Sequence, residues 1–250
     1  MQLEWYGQSA FRLADGDATV FIDPFDDLSG IRDRGMGWEY PAIEGVSADL
    51  LLVTHEHRDH NGVGAIGGDP VVLRSTAGTH ESPIGEVVGI ASEHDEVAGT
   101  QRGPNTLWVF LFGGIRVAHL GDLGQKALRD AQLAALGKVD LLIVPVGGGP
   151  TIGARQAMEI VEAVEAGIVV PAHYRTERID FLEPLDGFAA HFAQVQRADT
   201  TVVELDASAA AYGPLLVVPV HAPPQPQPTA VKAATAPAPT IPRRRSERSR

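Results

Sequence analysis

The chain has 250 residues, 44% hydrophobic and 21% charged, with no cysteine, 9 histidines and a formal charge of −12. That length suits one large domain or two small ones, and the apolar share excludes wholesale disorder. Without cysteine there is no disulfide framework, thiol nucleophile, iron–sulfur cluster or zinc finger, so any metal must sit on His, Asp and Glu. No apolar stretch approaches the ~20 residues of a membrane span. The opening Met1-Gln2-Leu3-Glu4-Trp5 carries an acid and no basic-then-apolar leader. A soluble, cytoplasmic protein is expected.

Leu3–Tyr6, Ala10–Ala14 and Ala18–Ile22 read as strands, with Asp15-Gly16-Asp17 as a hairpin turn. The third run ends at Asp23-Pro24, where proline stops a ladder. A Gly- and Asp-rich loop covers 25–47, and the apolar Asp49–Val53 then feeds directly into Thr54-His55-Glu56-His57-Arg58-Asp59-His60. Further strands are expected at Val71–Arg74, Glu86–Ala91, Thr106–Phe112 and Ile115–Leu120. Beyond residue 122 the texture alternates. Helices are predicted at Gln125–Leu136, Ala154–Ala166 and Leu185–Arg197, and strands at Val139–Val146, Ile168–Pro171, Thr201–Leu205 and Leu215–Val220. Early hairpins followed by βα units, with no long linker, predict one domain of two sheets with helices outside, spanning 1–221.

The tail, 222–250, is rich in Pro, Ala and Gln and lacks any apolar period, so it reads as disordered. It holds 6 basic groups against 1 acid, which leaves the body with 14 basic and 31 acidic groups. A body at −17 argues against nucleic-acid binding by the folded part.

The informative segment is His55-x-His57-x-Asp59-His60. Four metal-capable side chains fall within six residues, between an apolar strand and Gly62. Residues two apart on extended backbone point the same way, so His55 and His57 face one point. A turn after His57 can bring Asp59 and His60 beside it. Imidazoles with one carboxylate suit zinc or a similar first-row ion. The helical HExxH reading fails, because Asp59 stands at its second histidine position and His60, five residues from His55, lies about 140° around a helix.

The segment resembles the signature of the metallo-β-lactamase-fold hydrolases. Trp5-Tyr6-Gly7-Gln8-Ser9-Ala10-Phe11, Phe21-Ile22-Asp23-Pro24, Asn105-Thr106, His119-Leu120-Gly121-Asp122 and Pro171-Ala172-His173-Tyr174 are similar to the branch with ascorbate-6-phosphate-lactonase-like and zinc-dependent hydrolases. The resemblance runs from about 2 to about 206 and implies an α/β (α+β) fold, an αββα sandwich of two mixed sheets with helices on the outer faces. It implies two zinc ions, with manganese or iron as alternatives. His55, His57 and His94 would hold one, Asp59, His60 and His173 the other, and Asp122 would bridge them. His119 competes with His94 for the third-motif position. On extended backbone His119 and Asp122 face opposite sides, so His94 is favoured and His119 is kept as a supporting or structural group. Asp23 is expected to orient a ligand imidazole. Gln8 departs from relatives, which often carry His there. His80, His191 and His221 are read as surface groups.

The implied chemistry is attack by a metal-bridging hydroxide on a lactone, ester or phosphoester, with Asp59 orienting it and accepting its proton. Tyr174 and Arg175 are candidates to meet an anionic group on a small-molecule substrate. The rival functions are a nucleic-acid phosphodiesterase, against which the acidic body counts, and a non-catalytic metal-stabilised binding protein, which would need only four ligands. Association into a homo-oligomer stays open.

Overall fold

The computed structural model describes residues 1–28, 37–206, 208 and 213–221; the tail expected at 222–250 lies outside them. In chain order the strands are β1 (Gln2–Gly7), β2 (Ala10–Asp15), β3 (Ala18–Ile22), β4 (Val46–Ser47), β5 (Leu50–Val53), β6 (Ile66–Gly67), β7 (Val71–Arg74), β8 (Gly78–Ser82), β9 (Gly85–Glu93), β10 (Pro104–Phe112) and β11 (Ile115–His119). There follow α1 (Asp130–Leu136), β12 (Leu141–Pro145), α2 (Ala154–Ala163), β13 (Ile168–Ala172), α3 (Asp186–Ala189), β14 (Gln194–Arg197), β15 (Val202–Glu204) and β16 (Leu215–Val218).

Two mixed sheets result. The first runs β15-β1-β2-β3-β5-β7, antiparallel from β15 to β3 and parallel from β3 to β7. The second runs β14-β16-β13-β12-β11-β10-β9-β8. Its β8–β11 part is antiparallel and the remainder parallel. A short β4–β6 ladder completes the strands. Alternation in β1 and β2 puts Leu3, Trp5, Phe11 and Leu13 into the core, whereas β5, β12 and β13 are buried along their whole length. Strands covered on both faces read as continuous apolar runs, which is why these three were conspicuous in the sequence. One apolar core joins residues of both sheets.

The helical content is smaller than expected. α1 begins at Asp130 rather than Gln125: Arg129 is extended, with φ −76° and ψ 154°, and its N–H donates to the Gln132 side chain at 2.8 Å. The helix predicted at Leu185–Arg197 is wrong over most of its length. Only α3 is helical, and Gln194–Arg197 is instead an edge strand paired in parallel with β16. Phe188 and Phe192 still meet, with ring centroids 5.0 Å apart. Past Phe192, though, Gln194-Val195-Gln196-Arg197 offers no apolar helical stripe, and the open edge of the sheet takes the backbone. β8 was not anticipated at all, since Gly78-Thr79-His80-Glu81-Ser82 has little strand propensity and is held by pairing with β9.

Candidate metal centre

β9, β11 and β13 run in the same direction, as do β3 and β5, so their carboxyl ends gather at one edge of each sheet. The candidate ligands follow those ends. His55 comes two residues after β5, His94 directly after β9, Asp122 three residues after β11 and His173 directly after β13. Strand ends are rigid, and the loops leaving them are free to carry chemistry.

Two groups of potential ligand atoms form, each within 4.8 Å of one another: His55, His57 and His94, and Asp59, His60, Asp122 and His173. All seven expected ligands are in them. Asp122 lies between the groups, with Oδ1 3.3 Å from His60 Nε2 and Oδ2 3.3 Å from both His94 Nε2 and His173 Nε2. His55 Nε2 and His57 Nδ1 are 3.1 Å apart, and His60 Nε2 is 3.6 Å from Asp59 Oδ2. Ligand atoms about 2.0–2.1 Å from a tetrahedral ion stand roughly 3.3 Å from each other, so these separations are those of donors sharing a cation. His60 Nε2 is buried without a hydrogen-bond partner among the described residues, as a ligand nitrogen awaiting a metal would be. The donor set fits a divalent ion.

Asp23 fixes the tautomers. Buried at a φ of 50°, it accepts from Thr54 N at 2.7 Å through Oδ1. Its Oδ2 takes Thr54 Oγ1 at 2.6 Å and His60 Nδ1 at 2.8 Å. The Thr54 hydroxyl has one proton and gives it to Asp23, so the 3.0 Å contact with His55 Nδ1 has the imidazole donating. His55 is thereby left with a bare Nε2, while His60, with Nδ1 on Asp23, turns Nε2 toward the Asp122 carboxylate. Asp23 thus touches the His60 ring directly, and Thr54, which the sequence analysis did not single out, links it to His55. The signal was its position directly before His55.

His119 is out of the cluster. Its Nε2 donates to Ser9 O at 3.0 Å and its Nδ1 accepts from Gly121 N at 3.0 Å, so both ring nitrogens are engaged. The parity argument does not carry through to Asp122, because the strand stops at His119 and Gly121 turns at a φ of 54° before Asp122. A Cβ at Gly121 would come within 2.6 Å of Thr54, so glycine allows this turn to lie on the Asp23–Thr54 brace. Asn105 holds Asp122 by accepting its N–H at 3.1 Å, and Ser9 Oγ lies 3.4 Å from Asp122 Oδ1.

Electrostatics follow burial and neighbours. Burial, reinforced by His60, holds His55 well below the ordinary imidazole range against the pull of Asp122; burial likewise lowers His94. Burial also opposes a charge on Asp122 and on His60, but each is outweighed. His173 and His60 keep Asp122 well below the carboxylate range, and Asp122, Asp59 and Asp23 hold His60 well above the imidazole range.

Tyr174 and Arg175 are not in either ligand group. Tyr174 is buried and stacked on Trp5 with centroids 5.7 Å apart, and Arg175 Nε donates to Leu182 O at 2.6 Å. Gly147 lies so tightly on the His173 carbonyl that a Cβ there has no room, consistent with a turn beside the ligands. Of the three remaining histidines, His191 is exposed as expected. His80 is half-buried against Trp108, with ring centroids 5.9 Å apart. His221 is not a surface group: its ring packs 5.1 Å from Trp5 and 5.2 Å from Tyr40.

A two-sheet fold with His/Asp donors gathered at strand ends defines a metal-site protein of the metallo-β-lactamase type. Residues 2–173 match the family model described as the beta-lactamase superfamily domain, and the chain belongs to this superfamily. It is 33% identical over 202 residues to a UPF0173 protein of Pyrococcus abyssi, covering 70% of this chain and 84% of the relative. A UPF0173 metal-dependent hydrolase of Thermus thermophilus is 30% identical over 205 residues, with the same coverage. Among solved structures, one from Thermotoga maritima, described among the Zn-dependent hydrolases of the metallo-beta-lactamase superfamily, superposes with a TM-score of 0.69. It is 30% identical, over 87% of this chain and 97% of that one. No helix among the described residues is long and apolar enough to cross a membrane.

Proposed function

We propose that this metal-dependent hydrolase holds two divalent ions, zinc foremost with manganese or iron as alternatives, and cleaves a small lactone, ester or phosphoester carrying negative charge. His55, His57 and His94 would hold one ion, Asp59, His60 and His173 the other, and Asp122 would reach both. The observation that carries this reading is the set of 3.3 Å separations around Asp122, one carboxylate oxygen toward His60 and the other toward His94 and His173. When bound, two such ions supply Lewis acidity and bring the pKa of a coordinated water to about 7.

The chain's own groups do the rest. Asp59 is the one acid of the set left partly open, with 28% of its side chain exposed, so it is placed to orient the attacking water and take its proton. Asp23, directly on His60 Nδ1 and through Thr54 on His55 Nδ1, keeps both imidazoles turned with Nε2 toward the centre. The acidic body disfavours a polyanionic nucleic-acid substrate. Residues 1–221 act in this reading as one hydrolase unit.

Elemental analysis of the purified protein is expected to return two equivalents of metal. A panel of lactones, phosphodiesters and β-lactams, assayed with zinc and with manganese, is expected to give turnover on one class. One equivalent or none would remove the two-ion reading, and a metal-loaded protein inert to the whole panel would remove the substrate assignment.

A further inference from the structure

A cavity of about 550 Å³ opens where β13, β14 and β16 end. None of the seven candidate metal ligands lines it. Its walls include Trp5, Tyr174 and His221, and three guanidinium groups border it, from Arg175, Arg178 and Arg197. The acids on its rim are Glu177 and Asp186, so the arginines outnumber them. In a body with 14 basic and 31 acidic groups, this is a local reversal of sign.

Two of the guanidiniums are anchored on backbone, Arg175 Nε on Leu182 O at 2.6 Å and Arg178 on Glu39 O at 2.6 Å. Neither Arg175 nor Arg197 has a carboxylate partner within 4.0 Å among the described residues. Arg197, at the end of β14, and Arg178 border the same cavity as His221. Guanidinium forks of this kind match carboxylate and phosphate oxygens. His221 adds a second requirement. Burial and Arg178 lower its pKa to about 4, so the ring is neutral at pH 7. One nitrogen hydrogen-bonds the Tyr6 backbone, while Nε2 is buried without a partner among the described residues. A neutral imidazole whose other nitrogen donates presents a lone pair, and a buried lone pair calls for a donor.

We propose that the chain carries a second ligand site, separate from the metal centre, which takes a small organic anion bearing a hydroxyl group. The arginines receive the carboxylate or phosphate, His221 Nε2 accepts from the hydroxyl, and Pro184, Leu185 and Val218 meet the carbon frame. The volume lies within the range of small-molecule sites.

Isothermal titration of the metal-loaded full chain with glycerate, glycerol 3-phosphate and inorganic phosphate tests this. Saturable one-to-one binding is expected, with a Kd below about 1 mM, for one or both of the hydroxylated probes. The stronger of them tells carboxylate from phosphate. Arg197→Ala, at an exposed position, should weaken that binding at least tenfold with metal content unchanged. His221→Phe should erase the preference over inorganic phosphate. Absence of saturable binding by every probe, or an affinity that Arg197→Ala leaves unchanged, overturns the site.

Discussion

The two sheets contribute to the candidate centre in opposite ways. The first supplies His55, His57, Asp59 and His60 from a single loop after β5, with His55 and His60 braced through Asp23 and Thr54. The second supplies His94, Asp122 and His173 from three separate strand ends. There the Nδ1 atoms of His94 and His173 have no hydrogen-bond partner among the described residues, and only Asp122 is held, by Asn105 and Ser9. One half is therefore oriented by a hydrogen-bond network before any cation arrives. The other depends on backbone geometry: His173 sits at a φ of 48° with its carbonyl against Gly147, and Gly124 lies against the backbone of His94. Pre-orientation of this kind favours binding by lowering what must be ordered on association.

Asp122→Asn strikes the point where the halves meet, and the largest effect is expected there. Both metal equivalents should fall on elemental analysis, and turnover should drop by more than the ~10–100-fold typical of groups that only orient ligands. Asp23→Ala comes next and tests the braced half directly. It strips the acceptor from three buried donors, and breaking a buried charged network costs roughly 3–5 kcal/mol. Urea denaturation should show that loss, and metal affinity should fall by about 10–100-fold; an unchanged midpoint would mean the brace is dispensable. His57→Ala should be milder. Its side chain is exposed, so unfolding should move by no more than about 0.5 kcal/mol, while one equivalent of metal is lost and the other kept.

The smallest effect concerns His221, outside both halves. Its pKa is about 4 in the folded chain against 6.5 as the ordinary value. The unfolded chain therefore takes the proton first, so this contribution to stability is complete above 6.5 and is lost as pH falls through 4. The difference in urea midpoint between the parent and His221→Phe should narrow or reverse in sign between pH 7.5 and pH 4; a difference independent of pH would show that the ring titrates alike in both states.

The legibility of the molecule follows the same division. Four candidate ligands within six residues, after a strand buried along its whole length, could be read directly, because spacing along extended backbone dictates which way side chains face. The hairpin of β2 and β3 was visible through the Asp15-Gly16-Asp17 turn between two short strand runs. Asp122 and His173 were placed only by resemblance, and His94 was preferred to His119 by resemblance together with the side that His119 faces on extended backbone. The structure separates them by what surrounds each ring: His119 meets Ser9 O and Gly121 N, while His94 meets Asp122. The helix predicted at Leu185–Arg197 failed because a vacant edge on β16 outweighs a weak periodicity. His221 was misjudged because its neighbours Trp5 and Tyr40 are more than 180 residues away in the chain.

By itself, then, the sequence determined the donor chemistry: no thiols, a dense His/Asp loop, strands apolar enough to form two sheets, and an acidic body. Those properties reside in residue types and short spacings, which the chain carries whether folded or not. The tertiary structure alone decided how distant strand ends converge on Asp122, how Asp23 reaches both His60 and Thr54, and that three arginines border one cavity. These are relations in space that local spacing does not encode, and only the pairing and packing of the sheets brings the residues together.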